Sequence, residues 1–239
     1  MKHFLIFGIL FALSLLSCVP DYDAEGDALG CDCREELFYS YGDEKIFLDS
    51  LFLNDYLLIG FGNHVRSEKM LSLVNETGMF HVAGKRDILR GSEGHEHGLM
   101  LIQTITPKTC TQLKEIIRQL ESIPDVAFSN LAFKGTFCIG DDCSDVMICT
   151  DEFTVKVKDE NDLSDLHALA QETNTKIKGQ NALMPDVYVL SADKTSKGNA
   201  LQMSAYFHET GKFVYAEPNF IETCFNRDDP SEEVLTDDE

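Results

Sequence analysis

The stretch FTVKVKDENDLSDLHALAQETNTKI, residues 153–177, decides the fold. Phe153, Val155 and Val157 alternate with Thr154, Lys156 and Lys158, so a strand here has one apolar face and one solvated face. Asp162 is placed to cap a helix bearing Leu163, Leu166, Leu169 and Ala170. Thr175-Lys176-Ile177 begins a second strand, Ala182 to Asp186 makes a turn, and Val187-Tyr188-Val189-Leu190 returns. A helix over about 198–209 buries Ala200, Met203 and Phe207. Gly211 stops it, and Phe213 to Ala216 closes the set. The order is β-α-β-β-α-β, that of a ferredoxin-like module.

Working back toward the N-terminus, the same order appears once more. Asp55 to Gly60 reads as a buried strand, and Val65 to Glu76 as a helix with Met70, Leu73 and Val74 on one face and Gly78 as its stop. Phe80-His81-Val82 begins a strand, Lys85 to Gly98 is a polar, glycine-rich connection, and Leu99 to Thr104 is a further strand. The clearest helix covers about 109–122. Leu113, Ile116, Ile117 and Leu120 form its apolar stripe, and Pro124 follows its end. Val126 to Phe133 is the last strand. The expected architecture is α+β, with two tandem ferredoxin-like modules, antiparallel sheets and helices on one face.

The N-terminus reads as an export signal. Lys2 precedes an apolar run from Phe4 to Leu16, 13 residues long, where a spanning helix needs about 20. Leu15-Leu16-Ser17-Cys18 has the form of a lipobox. Lipidation of Cys18 is favoured over cleavage nearby by an ordinary peptidase, because the cysteine stands where the apolar run stops. The boundaries are then a signal at 1–17, a lipidated acidic tether at 18–42, a first module at 43–135, a cysteine-rich linker at 136–150, a second module at 151–222 and an acidic tail at 223–239. The acidic stretch after Cys18 resembles that of surface-exposed lipoproteins of Bacteroides-type bacteria. That resemblance implies an outer-membrane or cell-surface location in a Gram-negative cell.

Loss of Lys2 with the signal leaves 19 basic against 41 acidic residues, a net charge of −22. Such a balance argues against nucleic acid, whose phosphates need a basic patch. It also argues against electrostatic docking on anionic lipid, so acyl chains would hold the protein to the membrane. An apolar content of 44% with 16 Phe suits a packed core, and the absence of Trp disfavours a carbohydrate-stacking platform.

Cys31, Cys33, Cys110, Cys138, Cys143, Cys149 and Cys224 remain beside Cys18, an odd number that leaves one free or paired between molecules. Cys138, Cys143 and Cys149 stand near Asp141, Asp142 and Asp145, but their spacing lacks the close pairs of a zinc site. Local disulfides bracing the linker are the favoured reading. His95-Glu96-His97 offers two imidazoles on one face of a strand, yet no third ligand is evident and a solvated loop is favoured. No metal or cofactor is expected.

The second module closes on Phe207-His208-Glu209-Thr210-Gly211-Lys212-Phe213-Val214-Tyr215-Ala216-Glu217-Pro218-Asn219-Phe220. Over about residues 151–222 it resembles the propeptide of subtilisin-like serine proteases of Bacteroides-type bacteria, in which a helix, a Gly turn and a strand ending in a similar Glu-Pro motif lead into the catalytic domain. The resemblance implies a module that chaperones and inhibits its protease. Its sheet packs on two helices of the enzyme and its tail lies in the active-site cleft. Carried over, the contacting residues are Glu217, Pro218, Asn219, Phe220, Ile221, Glu222 and Thr223, with the tail running on to Arg227.

Two readings follow, with a third behind them. The expected function is a non-enzymatic inhibitor or folding chaperone of a subtilisin-like protease, with an apolar sheet face left uncovered by the first module. The alternative is a surface-lipoprotein binding or assembly module without a protease partner, in which the modules bury those faces against each other. A metal enzyme built on His95 and His97 is the outsider. Read to Glu239, the chain leaves no room for a catalytic domain, and no Gly-x-Ser-x-Gly nucleophile context appears. The acidic run from Asp228 to Glu239 would steer a basic partner or form a solvated end.

Overall fold

The computed structural model describes residues 37–42, 44–84, 88–89, 97–135 and 144–225, with side chains omitted at 144, 145, 224 and 225. The expected export signal, Cys18, His95 and the acidic run from Asp228 lie outside the described residues. Among the described residues no helix is long and apolar enough to cross a membrane.

The first module runs β3 (Phe52–Phe61), α1 (Ser67–Thr77), β4 (Ile88–Leu89), β5 (Gly98–Gln103), α2 (Cys110–Glu121) and β6 (Val126–Lys134). The second runs β7 (Ser144–Lys156), α3 (Ser164–Thr173), β8 (Lys176–Gln180), β9 (Val187–Ser191), α4 (Ala200–Glu209) and β10 (Tyr215–Phe225). Strand orders are β4-β5-β3-β6 and β8-β9-β7-β10, every pairing being antiparallel. Both place the module's first and third strands in the middle, as two tandem ferredoxin-like modules require. The chain is α+β, as expected.

Helices of both modules cover one face. Met70 and Val74 of α1, Leu113, Ile116 and Leu120 of α2, Leu166 and Leu169 of α3, and Met203 and Phe207 of α4 join a single buried cluster with Ile59, Phe61, Phe153 and Val155. A smaller buried cluster on the other side of the first sheet contains strand residues only, among them Tyr56, Leu58, Leu99, Leu101 and Phe128. The helices start and stop by local chemistry. Thr109 and Asn199 each form a capping box, with Gln112 and Gln202 reciprocating, at the starts of α2 and α4. Gly78 and Asn174 end α1 and α3 in the left-handed conformation. The expected cap at Asp162 is displaced by one residue. Leu163 is the N-cap, and the Asp162 carboxylate accepts from Ser164 N–H at 3.0 Å.

The modules are not separated by a linker of the expected length, because β7 begins at Ser144. Its first part pairs with β6 (Phe133↔Met147, Ala132↔Ile148), and its later part pairs with β9 (Glu152↔Ser191 to Lys156↔Val187). β10 runs along the opposite edge of β7 for the full length, from Tyr215↔Lys156 to Phe225↔Ser144. A two-stranded arm of the second module thus extends the first module's sheet, and all eight strands form one sheet.

Three other expectations are corrected. Residues expected to be tether form part of a hairpin, β1 (Phe38–Tyr41) and β2 (Glu44–Phe47), whose turn contains Gly42 at φ +58°. The hairpin packs on α4 and β10, with Lys45 Nζ 2.7 Å from Glu209 and the Tyr39 ring edge-on to Phe220 at 5.5 Å. Phe80 makes only an isolated bridge to Thr104, and the edge strand of the first sheet is Ile88–Leu89, inside the stretch read as connection. Cys149 is a buried free thiol, so it does not brace a linker, and burial raises its pKa far above the usual thiol range. Cys110 is disulfide-bonded, to a partner outside the described side chains.

Candidate functional site

The residues carried over from the propeptide resemblance all lie in β10 or its continuation along β7. Tyr215 and Glu217 share a face opposite buried Ala216, since side chains alternate along a strand. Burial pushes the Glu217 carboxyl up, and His208 nearby partly offsets this. Pro218 is buried opposite Phe153. Asn219 falls in a register shift, where Thr150 to Glu152 of β7 bulge against it. There the Thr150 hydroxyl donates to Asn219 O at 3.4 Å. Phe220 packs on the helical-side core and Ile221 on the opposite cluster, while Glu222 is exposed. Ile221, Glu222 and Thr223 pair with Ile148, Met147 and Val146. The tail implied to enter a cleft is therefore held in the sheet as far as Phe225, its side-chain register set by Ile221 packing beside Val146 and Ile148.

Among the described strands, β10 pairs with β7 alone, so its outer edge carries no strand partner over the 11 residues Tyr215–Phe225. Unpaired backbone donors and acceptors along such an edge are a template for an extended peptide, and Pro218 removes one donor from the row. The bare face of the second sheet is not apolar. Glu152, Thr154 and Lys156 lie opposite the helical-side residues Phe153 and Val155, and Lys156 pairs with Asp186 at 3.0 Å.

The β7 bulge also creates a buried polar junction between the modules. Bulged strands re-aim side chains, and here Asp151, almost fully buried, turns toward two partners. The Ser191 hydroxyl donates to Asp151 Oδ2 at 2.7 Å, and His97 Nε2 stands 3.4 Å from the same oxygen. His97 Nδ1 lies 3.2 Å from Phe61 O, and its ring is edge-on to Phe128 at 5.6 Å. Asn130 Nδ2 donates to Cys149 O and Thr150 O, both at 3.0 Å, satisfying carbonyls that the bulge frees from the ladder. Asn130 Oδ1 is buried with no hydrogen-bond partner among the described residues.

Electrostatics follow this geometry. Burial raises the Asp151 pKa, but the hydrogen bonds from His97 and Ser191 outweigh it and hold the carboxyl below its ordinary value. The hydrogen bond to Asp151 raises His97, against opposition from burial and from Lys178. No group of three or more His, Cys, Asp or Glu able to hold a metal is present among the described residues. His97, weighed from sequence as half of a metal pair, instead bridges the two modules. Asp151, Ser191 and Asn130 were invisible as a set. The only clue was a carboxylate placed two residues after the apolar run Val146-Met147-Ile148-Cys149. Serine donates to the carboxylate rather than facing the imidazole, so these three side chains are not arranged as a nucleophile and its base.

No family model matches the sequence, and no curated protein does so either. Among solved structures, the acetolactate synthase small subunit from Thermotoga maritima is similar at 10% identity, with a TM-score of 0.27, covering 72% of this chain and 98% of that one.

Proposed function

We propose that the chain is an exported, lipid-anchored, non-enzymatic protein whose second module engages a subtilisin-like serine protease as inhibitor or folding chaperone. The observation that carries this reading is β10, an edge strand that bears the Glu217–Thr223 segment and whose outer side has no strand partner among the described strands. Extended peptides dock by backbone hydrogen bonds to such edges, with alternate side chains filling pockets. Helix α4, left-handed Gly211 and β10 follow in the order that the resemblance requires.

A second reading, a surface binding or assembly module with no protease partner, is favoured by two specific features. The segment beyond Phe220 is laddered to β7 rather than extended away, and the bare face of the second module presents charged residues where a protease-docking face would be apolar. In that case the same outer edge receives a different extended partner.

The chain from residue 18 onward, with Cys18→Ser, is titrated against a panel of subtilisin-like proteases. Inhibition that weakens on removal of residues 221–239, in a chain whose thermal unfolding shows the modules intact, supports the protease reading. Digestion of the chain without inhibition rejects it for those enzymes and leaves the second reading.

A further inference from the structure

The two polar groups that His97 touches, the Phe61 carbonyl and the Asp151 carboxylate, are both acceptors. A neutral imidazole has one N–H and can serve only one of them, whereas the imidazolium serves both. The contacts join the residue just before β5, and β3, of the first module to β7 of the second, beside the short β6–β7 ladder through which the two sheets connect. We propose that His97 and Asp151 form a protonation-dependent latch between the modules, closed while His97 is an imidazolium and released when it loses its proton.

Groups from five strands face this pair. Asp151 comes from β7, the Ser191 hydroxyl from β9, the Phe61 carbonyl from β3 and the Phe128 ring from β6. Lys178 of β8 acts on His97 from farther away, and the buried Cys149 thiol feels the Asp151 charge. Only Lys178 opposes the imidazolium among these, and it is outweighed. Once His97 is neutral, the buried Asp151 keeps the Ser191 hydroxyl but loses its counter-charge, which is the costly state for a carboxylate out of water.

Signs set the window. His97, raised above 6.5, stabilises the closed junction fully below that pH, and the contribution is lost as pH climbs through the folded-state value. Asp151, lowered from 3.8, contributes above that pH and is lost as pH falls through its own folded-state value. The latch is closed in between and opens toward alkaline pH.

The test uses the isotope-labelled chain from residue 18 with Cys18→Ser. Nitrogen–proton correlations of the His97 ring are recorded across the titration, together with amide-exchange protection at Ala132–Lys134 and Val146–Ile148. The expected result is both ring nitrogens protonated at pH 6.5 and a midpoint above it. Protection across the β6–β7 ladder falls with the same midpoint, by about tenfold for each unit by which the pKa is raised. In His97→Gln the protection is expected to be low and free of that midpoint. A His97 midpoint at or below 6.5, or a ladder whose protection ignores the titration, overturns the latch. The same midpoint persisting in His97→Gln also overturns it. Should that variant fail to fold, the ring and ladder measurements on the parent chain decide alone.

Discussion

The helix-free face of the first module's sheet carries Tyr56, Leu58, Leu99, Leu101 and Phe128, all buried, while the matching face of the second carries Glu152, Thr154, Lys156 and Glu217, half-buried. Strand order, helix placement and even the capping devices are shared. The second helix of each module opens on a capping box and the first helix of each ends in a left-handed residue. The faces have diverged because the arm made by β7 and β10 contributes Val146, Ile148 and Ile221 to the apolar cluster of the first module only. One fold can thus serve as an acceptor of strands in one copy and as their donor in the other. The first module depends on its neighbour for part of its core, whereas the second keeps a face compatible with water.

The comparison breaks most visibly at Phe128. If the helix-free face of the first module is true core, Phe128→Ala costs about 3–5 kcal/mol in urea unfolding, while Thr154→Ala on the corresponding face of the second costs less than about 1 kcal/mol. Similar costs at the two sites would mean that the faces are not different in kind. Gly60→Ala sharpens the same point. Gly60 pairs with Phe128 across β3 and β6, and an added Cβ would come within 2.0 Å of the Phe128 ring. Displacing that ring is expected to destabilise the chain by about 1–3 kcal/mol, a typical overpacking cost. An unchanged urea midpoint would show the ring free to move aside.

The shared devices are tested by the caps. Thr109→Ala and Asn199→Ala each remove the side chain that accepts from the residue three places on, and each is expected to cost about 1 kcal/mol. They lie in different modules, so their effects on the urea midpoint should add. A double variant clearly less destabilised than that sum would reveal cooperative loss of one module with the other.

Most of the element order was legible because each helix and inner strand carries its own periodicity. Leu113, Ile116 and Leu120 point to α2 without help from the rest of the chain, and Phe153, Val155 and Val157 do the same for β7. What escaped was everything decided by pairing across distance. The hairpin at Phe38–Phe47 is short, and owes its place to α4 and β10. The closing strand was read as Phe213 to Ala216, yet β10 continues to Phe225 since proline is tolerated on an edge. The junction was hidden for a like reason: His97, Asp151 and Ser191 are far apart in sequence and meet only where β7 bulges.

The smallest expected effect concerns Glu217, which shares its strand with the proposed docking edge. Burial in the folded state disfavours its carboxylate and raises its pKa, with His208 a weaker opposing influence. A carboxyl raised by folding adds stability below its unfolded value, and that contribution is lost as pH rises through the folded one. Glu217→Gln keeps the shape without the charge, so it is expected to raise the urea midpoint slightly at pH 7. The advantage should disappear below the ordinary carboxylate range. The half-exposed setting screens the charge and keeps the effect small. If Glu217→Gln instead lowered the midpoint at pH 7, the carboxylate would be stabilising the second module's polar face, and the contrast between the two faces would be stronger than burial alone implies.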